Sequence, residues 1–282
     1  MIRKFIQEYR LGSRFIFLII SYCFFSPIVS GIAQSDFHKL SAFKNGERLK
    51  YKVKWGIIRL GTLEIFQKKI QDVPVTIYQV KMNARSANLP FINVFFINEG
   101  YLNPYQPTLR HFTLTTGREK ERVSTYIYNP DRKMIYLETR DHQQIVRKDS
   151  LLYQHGTYDA LGIFMMMRCL SSSGFNINLK NIVDFKMCQT RLNFSGESET
   201  IKVEALSKPM TAMKFEGKAE WVGHSWAGVS GPFYGWISAD HAAVPLKVKI
   251  QIFLGSITLE LEDYTRTDWP IDSTRQSLTQ KN

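Results

Sequence analysis

The sequence predicts a mainly β protein, either a single antiparallel β-barrel or a strongly curved half-barrel sheet, with one buried α-helix packed against it. Apolar and polar residues alternate with a period of two over many short segments, which is typical of strands with one buried face. Turn residues such as Gly, Asn and Pro separate these segments at regular intervals. One mid-chain segment departs from this pattern and is apolar on nearly every side.

The clearest strands lie in the segment GERLKYKVKWGIIRLGTLEIFQK, from Gly46 to Lys68. Four apolar residues alternate there with basic ones: Leu49, Tyr51, Val53 and Trp55. A turn bracketed by Gly56 and Gly61 leads into a second strand. We therefore expect a hairpin whose Trp55 face lines the inside of the sheet, while its lysines face solvent and keep the sheet soluble.

Residues 1–33 are predicted to be a secretory signal peptide. Four basic residues lie among the first 14, the apolar run Phe15–Phe25 follows, and Gly31 and Ala33 fit a cleavage site. The alternative is an uncleaved membrane anchor, but a span needs roughly 20 apolar residues. No later stretch is long and apolar enough to cross a bilayer. We expect an exported protein of the periplasm or outer cell envelope, without a transmembrane span after cleavage.

Residues 34–267 are predicted to form a single β-barrel-like domain, because no linker or repeat divides them, and residues 268–282 a flexible polar tail. The formal charge is +12, and it becomes +9 without the four basic residues and one acidic residue of the signal. That charge either favours binding to anionic surfaces such as phospholipid headgroups, or it reflects lysines that only keep the polar faces of the strands hydrated. No nucleic-acid-binding motif is present, so no nucleic-acid partner is expected.

Further strands are expected on both sides of the apolar segment. Asn129-Pro130-Asp131-Arg132 predicts the turn of a hairpin, and Gly255-Ser256 predicts the turn of the last hairpin, which begins at Pro245. The apolar segment Leu89–Ile97 fits either a buried strand or a short helix, and its periodicity does not decide between them.

The exceptional segment is GTYDALGIFMMMRCL, from Gly156 to Leu170, and it predicts the one substantial helix. Thr157 is the expected N-cap. Because the helix is apolar nearly all round, it should be buried on most sides. Tyr158, Met165 and Met166 either belong to the core or form an adaptable ligand-binding surface.

A second unusual segment, WVGHSWAGVSGPFYGW, contains three tryptophans and four glycines. Trp221, Trp226 and Trp236 either form the mobile rim of a cavity or cap the core from a long hairpin loop.

No pattern predicts catalysis, a metal site or a cofactor. HExxH, GxSxG and P-loop motifs are absent, and Asp240-His241 is better explained as a turn than as a catalytic pair. Cys169 and Cys188 remain after signal removal, and they form either a disulfide or two separate buried thiols.

Three segments together resemble a known family. GERLKYKVKWGIIRLGTLEI is similar to GExLxYxVxWgxixaGxaxl, YDALGIFMMMR to tYDaLsalyxxR, and GWISADHAAVPLKVKIQIFLGSITLEL to WlSxDxxxvPvxixxxixxGsxxxxL. Their order and spacing resemble the domain of unknown function 3108 family of exported bacterial proteins. The resemblance implies a β-rich envelope protein and carries no catalytic residue.

We therefore expect a protein that binds or carries a lipid or another apolar or amphipathic envelope molecule. The candidate cavity or rim residues are Trp55, Tyr158, Met165, Met166, Trp221, Trp226 and Trp236. One alternative is a scaffold or assembly partner of another envelope protein, and a weaker one is a hydrolase acting on envelope polymers.

Overall fold

The computed structural model describes residues 40–71, 73–87, 95–104, 106–116, 121–129, 131–154, 156–171, 174–221, 230–252 and 255–270. These ranges cover most of the predicted domain. The predicted signal peptide and most of the predicted tail lie outside them, as do residues 88–94 of the ambiguous apolar segment.

Within the described ranges the chain forms fifteen strands and one α-helix, with a 3-10 turn at Leu40–Ala42. The first eight strands are β1 Arg48–Trp55, β2 Ile58–Gln71, β3 Ile77–Ser86, β4 Phe95–Asn103, β5 Gln106–Thr116, β6 Glu121–Asn129, β7 Met134–Asp141 and β8 Gln144–Leu152. After them come β9 Thr157–Tyr158, α1 Ala160–Cys169, β10 Asn176–Val183, β11 Lys186–Ile201, β12 Met210–Glu220, β13 Gly231–Ser238, β14 Pro245–Ile252 and β15 Gly255–Thr265.

All of these strands belong to one sheet in the order β8-β7-β6-β5-β4-β3-β2-β1-β15-β14-β13-β12-β11-β10-β9. Short connections make sequential strands antiparallel neighbours. The short β9 is the exception, because it pairs in parallel with β10. β1 lies beside β15, with Arg48 opposite Thr265, so the first and last strands meet in the middle of the sheet.

The sheet is strongly curved. Its two ends are far apart in strand order, yet Ile135 and Leu137 of β7 pack in one cluster with Ile182 of β10 and with Phe185. The ring of Tyr126 lies 5.8 Å from that of Phe185. Among the described residues, β8 and β9 have a strand partner on one side only. The fold is therefore a large, curved antiparallel sheet, and the closed barrel, one of the two predicted forms, is wrong.

The opening hairpin forms as predicted, with a tighter turn. Leu49 and Tyr51 are buried, whereas Trp55 at the end of β1 is 39% exposed. Trp55 pairs with Ile58, so Gly56 and Ile57 alone form the turn, and Gly56 adopts the positive φ of +56° that favours glycine. The predicted alternation therefore holds, but the hairpin carries Trp55 out of the core.

The last hairpin turns earlier than predicted. Ile252 pairs with Gly255, so Gly255-Ser256 belongs to β15 and the predicted turn there is wrong. The ambiguous segment is strand where it is described, because β4 begins at Phe95. The hairpin predicted around Asn129 is present, with Asn129 opposite Met134.

Helix α1 begins later than predicted. Thr157 and Tyr158 form β9, and the Thr157 hydroxyl donates to the carbonyl of Gln154. Asp159 is the N-cap instead, since its Oδ1 accepts a hydrogen bond from the Gly162 amide at 2.5 Å. Eight of the ten helical residues are buried, as the all-round apolar pattern predicts. The cap thus fixes where the chain leaves the sheet and enters the helix.

We predict that Asp159→Ala lowers the free energy of unfolding by about 1 kcal/mol, because it removes the cap of the Gly162 amide. Urea denaturation followed by circular dichroism measures the change. Asp159→Asn keeps an oxygen at this position and should cost clearly less. Equal losses in the two variants would contradict the cap assignment.

Candidate functional site

A buried carboxylate holds the first strand, the last strand and the helix together. Glu47 Oε2 lies 2.6 Å from Arg168 Nη1, and Glu47 Oε1 lies 2.6 Å from Arg266 Nη1. Glu47 precedes β1, Arg168 is in the last turn of α1, and Arg266 follows β15. All three side chains have no solvent exposure. Gln67 of β2 adds a hydrogen bond from its Nε2 to Glu47 Oε2.

The remaining polar atoms of this network also find partners. Arg168 donates from Nε to the carbonyl of Ala243 at 3.0 Å and from Nη2 to that of Ala242 at 2.9 Å. Arg266 donates from Nε to Asp268 at 2.7 Å and from Nη2 to the carbonyl of Ser41 at 2.8 Å. A buried ion pair is stable only when such additional bonds satisfy it.

The charges of the network shift its titration. Burial alone would raise the pKa of the Glu47 carboxyl, but the charge of Arg168 and the hydrogen bonds from both arginines hold this pKa below its ordinary value. Burial also opposes ionisation of Asp268, yet Lys44 and Arg266 lower its pKa to about 2. Both carboxylates are therefore ionised at neutral pH.

The Asp240-His241 pair belongs to the edge of this network. Asp240 Oδ1 accepts from the Ser238 hydroxyl at 2.9 Å and from the Ala242 amide at 3.0 Å, and its Oδ2 accepts from Trp269 Nε1 at 2.8 Å. These bonds shape the connection between β13 and β14 that presents its carbonyls to Arg168. The arrangement is that of a turn, as the sequence predicts.

The concave side of the sheet encloses an apolar cavity of about 200 Å³ beneath α1. The helix contributes Ala160, Ile163, Phe164 and Met167. The strands contribute Tyr51, Leu63, Ile65, Met82, Asn98, Thr190, Leu192, Phe215, Ala219, Phe233, Pro245, Val248, Ile250 and Leu259, and Trp221 follows β12. Because the sheet curves, inward-facing residues from strands distant in order reach the same space.

The walls of the cavity differ in exposure. The lining residues of β1 to β4 are all buried, with Tyr51 2% and Ile65 1% exposed. Elsewhere in the lining, Phe233, Val248 and Ile250 of β13 and β14 are only partly buried, as are Phe164 and Leu259. The cavity is therefore closed to solvent at the β1–β4 wall and more open to solvent at β13 and β14.

Few hydrogen-bonding groups reach the cavity. The indole Nε1 of Trp221 donates to Thr190 Oγ1 at 3.0 Å, and the Thr190 hydroxyl donates to Asn181 Oδ1 at 3.1 Å. The polar atoms of Trp221 and Thr190 are therefore already hydrogen-bonded within the protein. Such a lining suits a hydrocarbon group and offers little to a polar one.

The structure distributes the predicted site residues over several places. Trp221 lines the cavity. Met165 and Met166 are buried but are not among its lining residues, and Tyr158 borders a separate void of about 20 Å³. Trp236 is partly buried, and its Nε1 donates to Glu199 at 3.1 Å. Trp226 lies outside the described residues.

The strand residues that line most of the cavity were missed as site residues by sequence reasoning. Val248 and Ile250 carry a signal in their alternation with Lys247 and Lys249, which marks an inward face. Nothing in that alternation distinguishes a filled interior from a hollow one, since the volume between side chains is set by the curvature of the sheet.

Cys169 and Cys188 are free and buried in the structure, without the disulfide that was one of the two expected states. Cys169 lies in α1 and Cys188 in β11, and burial raises the pKa of the Cys169 thiol to about 12. Each packs as a small apolar residue.

Neither a metal-binding cluster nor a membrane-spanning helix is present in the described part of the chain. No three His, Cys, Asp or Glu side chains there are grouped to hold a metal ion. No helix within the same residues has the length and hydropathy to cross a bilayer.

Residues 50–262 match the model of a protein family described as a protein of unknown function, DUF3108. The chain belongs to the DUF3108 family. Arg168 and Asp240 lie in two of the segments that carry the sequence resemblance: Arg168 belongs to the buried network, and Asp240 shapes the connection beside it. Glu47 lies in the remaining segment, which begins at Gly46, just before the matched range. No curated protein matches the chain.

Two solved structures are similar to this DUF3108 protein. A β-barrel-like protein of the DUF1849 domain from Brucella abortus aligns with a TM-score of 0.52 at 8% identity, over 79% of this chain and 98% of the other. A proposed exported protein with a YmcC-like fold from Bacteroides fragilis aligns with a TM-score of 0.33 at 12% identity, over 79% and 97%. The first supports the fold class alone.

We predict that Glu47→Gln lowers the free energy of unfolding by about 3–5 kcal/mol, because it leaves two buried arginines without their carboxylate. Urea denaturation measures this. Glu204→Gln is the matched control: Glu204 pairs with Lys52 but its side chain is 57% exposed, so the cost should stay below about 1 kcal/mol. Similar losses in the two variants would contradict the role of the buried pair.

The same carboxylate should contribute to acid sensitivity. The pKa of Glu47 is lower in the folded chain than its ordinary value of 4.5, so its stabilisation is present above that pH and is lost as the pH falls through the folded pKa. Glu47→Gln should therefore flatten the decline of stability in acid by up to about 1.4 kcal/mol per pH unit.

We predict that neither cysteine reacts with iodoacetamide in the native protein, since both are buried. After unfolding in urea without reductant, peptide mass mapping should find both residues alkylated. Unlabelled cysteines that become reactive only after reduction would show that the disulfide forms.

Proposed function

We propose that the protein is exported and that its curved sheet binds the hydrocarbon part of an apolar or amphipathic molecule of the cell envelope. The observation that carries this proposal is the apolar cavity between α1 and the sheet. Its β1–β4 wall is closed by buried residues, and it is more open to solvent at β13 and β14, so a bound molecule enters with its apolar part first.

The size of the cavity limits the ligand. An engineered cavity of about 150 Å³ in another protein accommodates benzene, whereas drug-sized ligands occupy roughly 300–1,000 Å³. A cavity of about 200 Å³ therefore suits one short hydrocarbon segment. A complete lipid with two acyl chains exceeds this volume, and its remaining atoms would lie outside.

The charged surface gives less support to the scaffold alternative than the sequence suggests. Lys52 and Lys54 of β1 both pair with Glu260 of β15, at 3.2 and 2.9 Å. Arg59 pairs with Glu262 at 2.7 Å. Because each of these cations lies beside a carboxylate, the basic strand face offers an acidic partner less net charge than its lysines and arginines alone suggest.

The hydrolase alternative requires an accessible carboxyl or histidine with altered acidity. Glu47 has a shifted pKa, but it is fully buried and bound by two arginines. It is therefore a structural anion rather than a proton donor for a substrate.

We predict that Ala219→Leu abolishes ligand binding, because three additional carbon atoms at this lining residue occupy the cavity. Full-length chain is expressed in a bacterial host and purified after export, and native mass spectrometry identifies bound molecules. In parallel, hexanol and octanol should raise the thermal midpoint of the wild type and leave that of Ala219→Leu unchanged.

Ala212→Leu is the matched control on the same strand, since Ala212 is fully buried but is not among the lining residues. It should lower stability by about 1–3 kcal/mol through overpacking and still respond to alkanols. Ala219→Leu should be neutral or stabilising, as cavity-filling substitutions are. A wild type with no bound molecule and no alkanol response would refute the proposal.

A further inference from the structure

The turn between β1 and β2 exposes apolar side chains to solvent. Ile57 is 99% exposed, and its neighbours Ile58 and Trp55 are 48% and 39% exposed. Tight hairpin turns ordinarily carry Gly, Asn or Asp. We call Trp55, Ile57 and Ile58 the apolar tip.

The apolar tip is continuous with the cavity through the sheet itself. Trp55 pairs with Ile257 of β15, Ile257 with Ile250 of β14, and Ile250 with Phe233 of β13. Directly paired residues lie on the same face of a sheet. Ile250 and Phe233 line the cavity, and Ile257 is partly buried. One row of apolar side chains therefore leads from the tip to the solvent-facing side of the cavity.

The exposed area of the tip is too small for a stable protein partner. From the fractional exposures and ordinary side-chain areas, the three residues present roughly 300 Å². A stable protein interface requires about 800 Å² from each partner. A bilayer needs no such complementary area, because each inserted side chain contributes independently by leaving water.

The chemistry around the tip is also that of a membrane interface. A tryptophan lies at its base, and Lys54 and Arg59 lie opposite each other on the two strands just behind it. Trp together with Lys or Arg is typical of segments anchored at the boundary between headgroups and acyl chains. Lys54 and Arg59 are paired with Glu260 and Glu262, so insertion rather than net charge would dominate binding.

We propose that the apolar tip docks the protein on a lipid bilayer, with the open side of the cavity next to the membrane surface. The docking site consists of Trp55, Ile57 and Ile58, and its partner is the interfacial region of a phospholipid membrane. The three tip residues do not line the cavity, and their binding to a membrane does not depend on the ligand proposed above.

The test is partition of the exported, purified protein onto vesicles of phosphatidylethanolamine and phosphatidylglycerol, measured by flotation. Ile57→Asp should weaken partition about tenfold or more, because the substitution replaces an inserted isoleucine with a charge. The wild-type partition should change only weakly with salt, since the nearby cations are already paired.

Val73→Asp is the matched control. Val73 is 82% exposed and follows the opposite end of β2, about 40 Å from the tip. This variant should bind vesicles as the wild type does. Ala219→Leu should also bind, which separates membrane docking from occupation of the cavity. Ile57→Asp should conversely retain the response to hexanol.

Three results would overturn the proposal. The first is equal partition of the wild type and Ile57→Asp, or no partition of either. The second is a wild-type dimer in sedimentation that Ile57→Asp dissociates, which would assign the tip to a second copy of the chain. The third is a lower thermal midpoint of Ile57→Asp, which would show that another part of the chain covers Ile57.

Discussion

The buried carboxylate of Glu47 is the constraint on which the architecture depends. Removing an anion and two guanidinium groups from water is unfavourable, and the arrangement persists because nearly every charge and donor meets a partner. Satisfying them requires the beginning of β1, the end of β15 and the last turn of α1 to meet at one point. The ion pairs thereby connect the helix to both strands at one point, in addition to the contacts that apolar packing provides.

That placement explains the cavity. A helix that is apolar on every side has no unique orientation against an apolar sheet. Arg168 fixes its carboxyl end at Glu47, and Asp159 fixes its amino end beside β9. Between these two points the helix does not fill the space above the sheet. The unfilled space lies beneath Phe164 and Met167, and it is the feature that most distinguishes the site from an ordinary core.

Much of the fold follows from local patterns, whereas the site depends on their combination. Alternation identified both hairpins at the ends of the chain, and the break in alternation identified the helix. The prediction of Thr157 as the N-cap was wrong because Thr157 belongs to the two-residue strand β9. Lys52 and Glu260 form an ion pair although they are 208 positions apart in sequence, and the local sequence around either residue does not indicate its partner. The sequence predicted an interior ligand site and named Trp221, but hollow volume is a property of tertiary geometry.

The pairing of β1 with β15 has a consequence for the order of folding. A chain is synthesised from its amino end, so β1 emerges first and its outer edge lacks its neighbour until the last strand is complete. The Glu47 carboxylate likewise lacks one of its two arginine partners until Arg266 has been synthesised. Contacts of such long sequence separation form slowly. The molecule therefore stays incomplete at its centre until almost the whole chain is available, a state in which β1 depends on its lysines to prevent pairing with other chains.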